Sequence, residues 1–426
     1  MTVYRSSMHA SSDDQPAGPA KAARALRILY IHPIGVFGGS SRSLLELISS
    51  LPADVVEPRV LTAAGNFAPM LCARGIEVIT ASGFSRFDNT LFSAYRGWRW
   101  LLLLRELYLL PGTLMAVWRA YRAWPDIDLI HVNEITAIPS WLLARRLFRK
   151  PVVMHVRSVL TASPASRRVR WIGRLLQSQC EQVIAIDETV RASLQDPARA
   201  MVVHNVFSTA RAASDPQVEA MLNRISATAL RVGFVGNFLE MKGILDLVEA
   251  VGLCVARGLD IQLIMVGGNT RHMTRSTAWL LRKARFARDV ESGVSARVDA
   301  LGISARVHTI GFTEAIGSVY RNIDVLCFPS HLDAVGRPVI EAAFYGKPSI
   351  VAITNPKPDT FVDGVTGLAV PAADVPALAS AIERLARAPE QVQAMGRAAL
   401  DLAQRNFDPE INARRVLDVY RRLQPR

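Results

Sequence analysis

Short runs of consecutive apolar residues recur along the chain and alternate with stretches whose apolar positions fall three or four apart. The runs are LRILYIH from Leu26, RVLT at 59–62, IEVIT at 76–80, LIHV at 129–132, VVMHV at 152–156, QVIAI at 182–186 and MVVH at 201–204. A second series holds RVGFVG at 231–236, IQLIMVGG at 261–268, RVHTIGF at 306–312, DVLCFPS at 324–330, PSIVAI at 348–353 and GLAV at 367–370. Between them lie helical patterns such as SLLELISSL (43–51) and LDLVEAVGLCVA (245–256). Strands apolar at every position are buried on both faces, as in parallel sheets covered by helices. Two such series in tandem predict an α/β chain of two doubly wound domains, 26–206 and 207–408, with periodicity lost around Asn205–Asp215. Residues 1–25 are polar and rich in Ala and Ser, which predicts a disordered lead-in without a secretory h-region. A last helix is predicted over 409–424, with Pro409 in its first turn.

The 426 residues, half of them hydrophobic, suffice for two packed cores. Cys72, Cys180, Cys254 and Cys327 stand far apart, so neither a disulfide framework nor a structural zinc site is expected, and a reducing compartment fits. No run reaches the ~18 uncharged apolar residues of a membrane span. The net charge of +13 is uneven: residues 86–174 hold 15 Lys and Arg against 5 Asp and Glu. Such a patch attracts nucleic acid, anionic lipid headgroups or a phosphorylated substrate. No recognition motif accompanies it, so nucleic acid is not expected as a partner.

Open parallel sheets bind ligands outside the carboxyl ends of their strands, which places the chemistry in the cleft between two facing domains. The most informative segment is 329–370. After the run at 324–328 the chain turns through His331–Gly336, and Pro338 stands where a helix starts. The opening residues Gly336, Arg337, Val339 and Ile340 would offer unpaired backbone N–H groups, an anion site that suits a diphosphate. Asp333 precedes this helix start and Glu341 lies one turn inside it, eight residues apart. Carboxylates so placed accept hydrogen bonds from sugar and ribose hydroxyls.

This segment resembles the E-x7-E region of the retaining, GT-B-fold glycosyltransferases of family 4. It reads Asp333-Ala-Val-Gly336-Arg-Pro-Val-Ile-Glu341-Ala-Ala-Phe-Tyr-Gly346-Lys-Pro348, then Asp363-Gly364-Val-Thr366-Gly367. The family usually has Glu where Asp333 stands. The resemblance extends to Gly233-Phe-Val-Gly236-Asn237-Phe-Leu-Glu-Met-Lys242-Gly243. There the family grips the donor diphosphate with an Arg and a Lys; Lys242 matches the lysine, and Asn237 replaces the arginine. Gly38-Gly39 resembles the family's Gly-Gly loop after the first strand, which would approach the donor sugar or the acceptor without Cβ obstruction. No GxGxxG or Walker A pattern competes with this reading. In PVVMHVRSVL, Arg157 occupies the place of the family's histidine near the donor sugar, and His155 lies two residues before it on the same strand face. Asp126-x-Asp128 spells the DxD of metal-dependent transferases, but it stands at a strand's amino end and reads as a cap. Glu134, just past the carboxyl end of the strand 129–132, is the better-placed acid.

The resemblance implies two Rossmann-like domains facing across a cleft. The N-terminal one would bind the acceptor, the C-terminal one the nucleotide sugar, and the final helix would pack back on the first. It implies transfer, with retention, from a nucleotide-diphosphate-sugar to an acceptor hydroxyl, with no cofactor and no metal. Lys242, Asp333, Arg157 and His155 would serve the reacting centre. Gly38, Gly39, Asn237, Gly336, Arg337, Val339, Ile340 and Glu341 would hold the donor. A sugar-nucleotide 2-epimerase of the same fold, which needs no acceptor, is the alternative, as is a binding subunit with a degraded site. Residues 96–124 add Arg96, Arg99, Arg105, Arg119 and Arg122 among Trp98, Trp100, Trp118 and Trp124. Pro111-Gly112 divides this stretch into two expected helices lying in a membrane interface, the tryptophans at headgroup depth. A lipid-linked or saccharide acceptor in polysaccharide or lipopolysaccharide synthesis, and peripheral attachment to the cytoplasmic face of an anionic plasma membrane, are the matching expectations.

Overall fold

The computed structural model describes residues 24–88, 90, 100–160, 166–207, 215–226, 228–268 and 290–424. The expected lead-in lies outside these residues, save Arg24 and Ala25, and so do Arg96, Trp98, Arg99 and most of the expected seam. Two parallel sheets account for the strands. The first contains β1 (Leu26–His32), β2 (Val56–Ala63), β3 (Glu77–Ala81), β4 (Leu129–Val132), β5 (Val152–Val156), β6 (Gln182–Ala185) and β7 (Ala200–Val202), in the order β3-β2-β1-β4-β5-β6-β7. The second contains β8 (Leu230–Val235), β9 (Ile261–Val266), β10 (Val307–Gly311), β11 (Val325–Phe328), β12 (Ser349–Ala352) and β13 (Gly367–Val370), in the order β10-β9-β8-β11-β12-β13.

Unbroken apolarity in the strands has its cause in this layering. In β1, Leu29 and Ile31 face a core completed by the helices Leu102–Ala123, Ile138–Phe148 and Arg167–Gln179. Ile28 and Tyr30 face the opposite core, with the helices Gly39–Ser50 and Phe67–Cys72. The final helix, Pro409–Leu423, contributes Ala413, Val416, Leu417, Val419 and Tyr420 to that same core. The Tyr420 hydroxyl lies 3.2 Å from that of Tyr30 and 2.7 Å from Nδ1 of His131. The chain therefore returns to its first domain to finish it. In the second sheet, Val232 and Phe234 meet the helix Ile244–Ala256, while Leu326 and Phe328 meet the helix Arg337–Phe344 on the other face.

The strand order reverses direction between β1 and β4 in one sheet and between β8 and β11 in the other. Those two switch points open crevices at the carboxyl ends of the strands. The residues singled out in the sequence cluster there.

One expectation is corrected. The stretch around Pro111 is a single helix, Leu102–Ala123, not two. An internal proline costs roughly 3 kcal/mol, but anchors flank it on the buried side. Glu106 accepts a hydrogen bond from the Arg86 backbone N–H at 2.6 Å, and Thr113 Oγ1 accepts one from Ser85 N–H at 2.8 Å. Ala116, Val117 and Ala120 then bury the following turns.

Candidate functional site

On the second domain, β8 ends at Val235 and the chain passes Gly236 and the exposed Asn237 into the short turn Glu240–Lys242. Gly243 follows with φ +67, and a Cβ there would lie 2.0 Å from the Pro329 carbonyl oxygen. Only glycine allows this approach. Through it the Lys242 turn docks against the end of β11, where His331 N–H donates to Met241 O at 3.0 Å. The Lys242 ammonium sits 5.3 Å from the centre of the Phe328 ring, and burial lowers its pKa. A Cβ on Gly336 would strike that same ring at 2.1 Å. Phe328 thus brings together Lys242 and the start of the helix Arg337–Phe344.

Asp333 occupies the intervening loop with φ +45, a left-handed conformation that Asp tolerates better than most residues. Its Oδ1 accepts a hydrogen bond from Thr354 N–H at 2.6 Å, and the residue is exposed. Val339 and Ile340, expected to offer backbone N–H groups to the donor, turn their side chains inward. Their side chains are core, and the Val339 N–H already donates to Gly336 O at 3.0 Å.

Glu341 and Arg337 are engaged by other side chains of the protein. Tyr320 Oη donates to Glu341 Oε2 at 2.8 Å, and Arg337 Nε donates to Glu341 Oε1 at 2.7 Å. Arg337 then reaches across the cleft, donating from Nη1 to Ser43 Oγ at 2.9 Å and from Nη2 to Glu46. Arg42, one turn before Glu46, pairs with Glu46 at 3.2 Å and with Glu341 at 3.3 Å. Burial alone would lower the Arg337 pKa, but the carboxylates of Glu341 and Glu46 outweigh it and raise it. Beside this network lies a cavity of about 390 Å³, walled by Phe37, Arg42, Phe312, Tyr320, Glu341 and Tyr345 among others. Both domains contribute to it. Glu341 is accordingly at the cleft, but its carboxylate is held by three of the protein's own side chains.

On the first domain, Gly38 caps the helix Gly39–Ser50 in an extended conformation, φ −157. Neither Gly38 nor Gly39 has a neighbour within 4 Å of an added Cβ. Behind them, Asn133 donates to Nδ1 of His32 at 2.9 Å and to Ser40 O at 3.3 Å. Its Oδ1 accepts from Arg157 Nε at 2.7 Å. Asn205 Oδ1 takes a second hydrogen bond, from Arg157 Nη1. Arg157 Nη2 stands 3.4 Å from Nδ1 of His155, as expected for residues two apart on one strand face. Burial lowers the Arg157 pKa to about 10, so it stays cationic at neutral pH.

His155, expected at the reacting centre, lies buried beside Arg157. It is 3% exposed, packed against the His131 ring, and its pKa is depressed far below the usual value by burial and by Arg157. It packs beside Arg157 and the His131 ring. Glu134 Oε2 accepts from Ser158 Oγ at 2.9 Å and Oε1 from Ile135 N–H at 2.8 Å; burial nevertheless raises its pKa to about 7. At the amino ends of the central strands, Asp128 accepts hydrogen bonds from Arg27 N–H and Arg24, and Asp126 pairs with Arg27. They tie the amino ends of β1 and β4 together.

Sequence reasoning missed Arg42, Ser43 and Glu46 as Arg337's and Glu341's partners, and Asn133 and Asn205 as Arg157's. The Arg42–Glu46 spacing signals a helix-face pair. Nothing local signals a partner nearly three hundred positions away.

Two facing doubly wound domains with this cleft are the GT-B architecture. The chain belongs to the group 1 glycosyltransferases: the family model "Glycosyl transferases group 1" matches residues 223–401, and "Glycosyltransferase Family 4" matches residues 37–211. It is 27% identical to the D-inositol 3-phosphate glycosyltransferase of Streptomyces griseus, covering 95% of this chain and 90% of that one. To the glycogen synthase of Mycobacterium tuberculosis it is 24% identical, covering 93% and 94%. Anabaena HepE, solved in complex with UDP and glucose, has a TM-score of 0.70 at 20% identity, covering 92% of this chain and 99% of that one.

Proposed function

We propose that this glycosyltransferase moves a sugar from a nucleotide-diphosphate-sugar to an acceptor hydroxyl with retention at the anomeric carbon. The observation that carries the reading is the meeting of Lys242 and the opening of the helix Arg337–Phe344 at the Phe328 ring. A lysine with no carboxylate partner among the described residues and a helix start together suit a diphosphate. The bond from the anomeric carbon to the leaving phosphate oxygen breaks while the acceptor oxygen bonds to that carbon on the same face. The acceptor proton passes to the departing phosphate. Lys242 stabilises the charge that develops there, and Asn237 adds a hydrogen-bond donor but no charge. Gly38 and Gly39 support the same reading, since the fold leaves space beside both that no side chain fills. Glu341 meets ribose hydroxyls once they displace some of its present partners. The cavity beside Arg42 and Phe312 has room for the nucleoside.

The acceptor we propose is lipid-linked and met at an anionic membrane surface. No helix among the described residues is long and apolar enough to cross a membrane. The helix Leu102–Ala123 instead exposes Leu104, Tyr108, Met115 and Trp118 along one face, with Arg105, Arg119 and Arg122 beside them. The test of the reaction is incubation with a panel of nucleotide sugars and membrane lipid extract, with the anomeric configuration of product read by NMR. Lys242→Ala should lower turnover by ~10²–10³ while the melting temperature holds. A product of inverted configuration, or a variant as fast as the wild type, would overturn the mechanism.

A further inference from the structure

Among the described residues, no carboxylate is paired directly with Arg157. Its two short hydrogen bonds go to amide oxygens, of Asn133 and Asn205, which bring no charge. The acids that act on it, Glu134 and Glu46, do so through space, and both are engaged elsewhere. Glu134 is bonded to Ser158 and to Ile135 N–H, and Glu46 to Arg337 and Arg42. The nearby rings of His32, His131 and His155 are neutral, held so by burial and by Arg157's own charge.

The mounting is equally deliberate. Asn133 spends its amide hydrogens on His32 and Ser40, which leaves its oxygen committed to Arg157. Ser40 lies on the helix that Gly38 and Gly39 open, so the guanidinium is fixed to the rim of the cleft. Two of its five N–H donors are used by the amides, and one more faces His155 at the long distance of 3.4 Å. A part-buried cation costs several kcal/mol of desolvation unless an opposite charge offsets it. Neutral sugar hydroxyls could be bound by an asparagine or the family's histidine at far lower cost.

We propose that Arg157 is the recognition residue for an anionic group, a carboxylate or a phosphate monoester, borne by the substrate at the reacting end of the cleft. The anion reaches it on a uronic-acid donor or on a phosphorylated acceptor alcohol. The guanidinium fork offers such a group paired donors. The inference rests on the transferase reading above and specifies its substrate class.

The experiment compares affinities within two matched pairs by calorimetry: UDP-glucuronate against UDP-glucose, and myo-inositol 1-phosphate against myo-inositol. Wild type should favour the anionic member of one pair by about tenfold or more. The pair that shows the preference identifies the source. Arg157→Gln should abolish that preference, and Arg157→Lys, which keeps the charge but loses the fork, should retain part of it; the latter decides the matter if the Gln variant fails to fold. Lack of preference in both pairs, or a preference unchanged in Arg157→Gln, would overturn the proposal. Affinity for UDP alone is measured alongside. UDP binding without an anion preference sinks this inference and leaves the transferase reading standing. Anion preference without UDP binding keeps Arg157 as the anion site and removes a uridine nucleotide as the donor.

Discussion

At the residue scale, Glu134 makes the sharpest demand. It is 5% exposed, and its carboxyl pKa is raised to about 7 chiefly by burial. Between the ordinary value of 4.5 and about 7 the folded state binds the proton more tightly than the unfolded state. Stability contributed by the neutral carboxyl is therefore present below that window and lost as pH rises through it. The shift corresponds to a loss of the order of 3 kcal/mol. Glu134→Gln preserves an acceptor for Ile135 N–H and removes the titration. The urea midpoint of the variant should exceed that of wild type at pH 8, with the gap closing at pH 4. Parallel pH profiles for the two proteins would show that Glu134 ionises normally in place. Its position at the end of β4 was legible in the sequence, because strand ends are. Its burial was not, since that depends on Ser158 and the neighbouring strand. The contrast with Lys242 is instructive. There the adjoining Gly243 fixes a close backbone approach, and a local motif therefore carried the placement.

At the scale of elements, the helix Leu102–Ala123 shows both the reach and the failure of pattern reading. Proline-glycine in mid-helix ordinarily marks a break. Here the hydrogen bonds from Arg86 and Ser85 to Glu106 and Thr113 come from a segment twenty or more residues earlier, and no helical periodicity announces them. The outward face was readable: Leu104 is 63% and Tyr108 84% exposed, where a helix buried on all sides would hide them. Arg122 lies over the Trp118 ring, and Arg168 over Trp100, so the aromatic side chains and the cations share one surface. On the proposed membrane docking, such a helix would bind anionic lipid through apolar insertion and phosphate contact together. The protein should float with anionic vesicles and less with neutral ones, and added salt should weaken the attachment. Leu104→Glu with Tyr108→Glu should abolish flotation without moving the melting temperature. Equal absence from both vesicle fractions at low salt would remove the membrane from the account.

Across the whole molecule, Arg337 is the side chain that joins the two domains most directly. It and Glu46 are both nearly buried, and Arg42 completes a ring of alternating charge with Glu341. Removing one partner of such a set costs about 3–5 kcal/mol because the other is left buried and unpaired. Where the stranded carboxylates can escape by parting the domains, that cost appears as opening. Arg337→Met should increase the radius of gyration in solution scattering, and Glu46→Gln should do so less. A radius unchanged in both would mean that other contacts hold the cleft. One such contact is Asp359, whose Oδ2 accepts hydrogen bonds from Glu188 N–H and from His204, each at 2.9 Å. The sheet order, the cleft and the two halves of the motif were readable because each repeats a local pattern. The cross-cleft ring was not, since its members meet only after both domains have formed.

The return of the helix Pro409–Leu423 to the first domain bears on how the protein is made. A ribosome releases residues in order, and β1 to β7 emerge long before the helix that covers Ile28, Tyr30, Val153 and Ile184. Residues 215–406 can bury their own sheet as soon as they emerge, whereas the first sheet waits with one apolar face incomplete until the helix Pro409–Leu423 follows them. The order of synthesis and the order of completion are thus reversed: the half that is born first matures last. During that interval its uncovered face is the surface on which a nascent-chain chaperone would act.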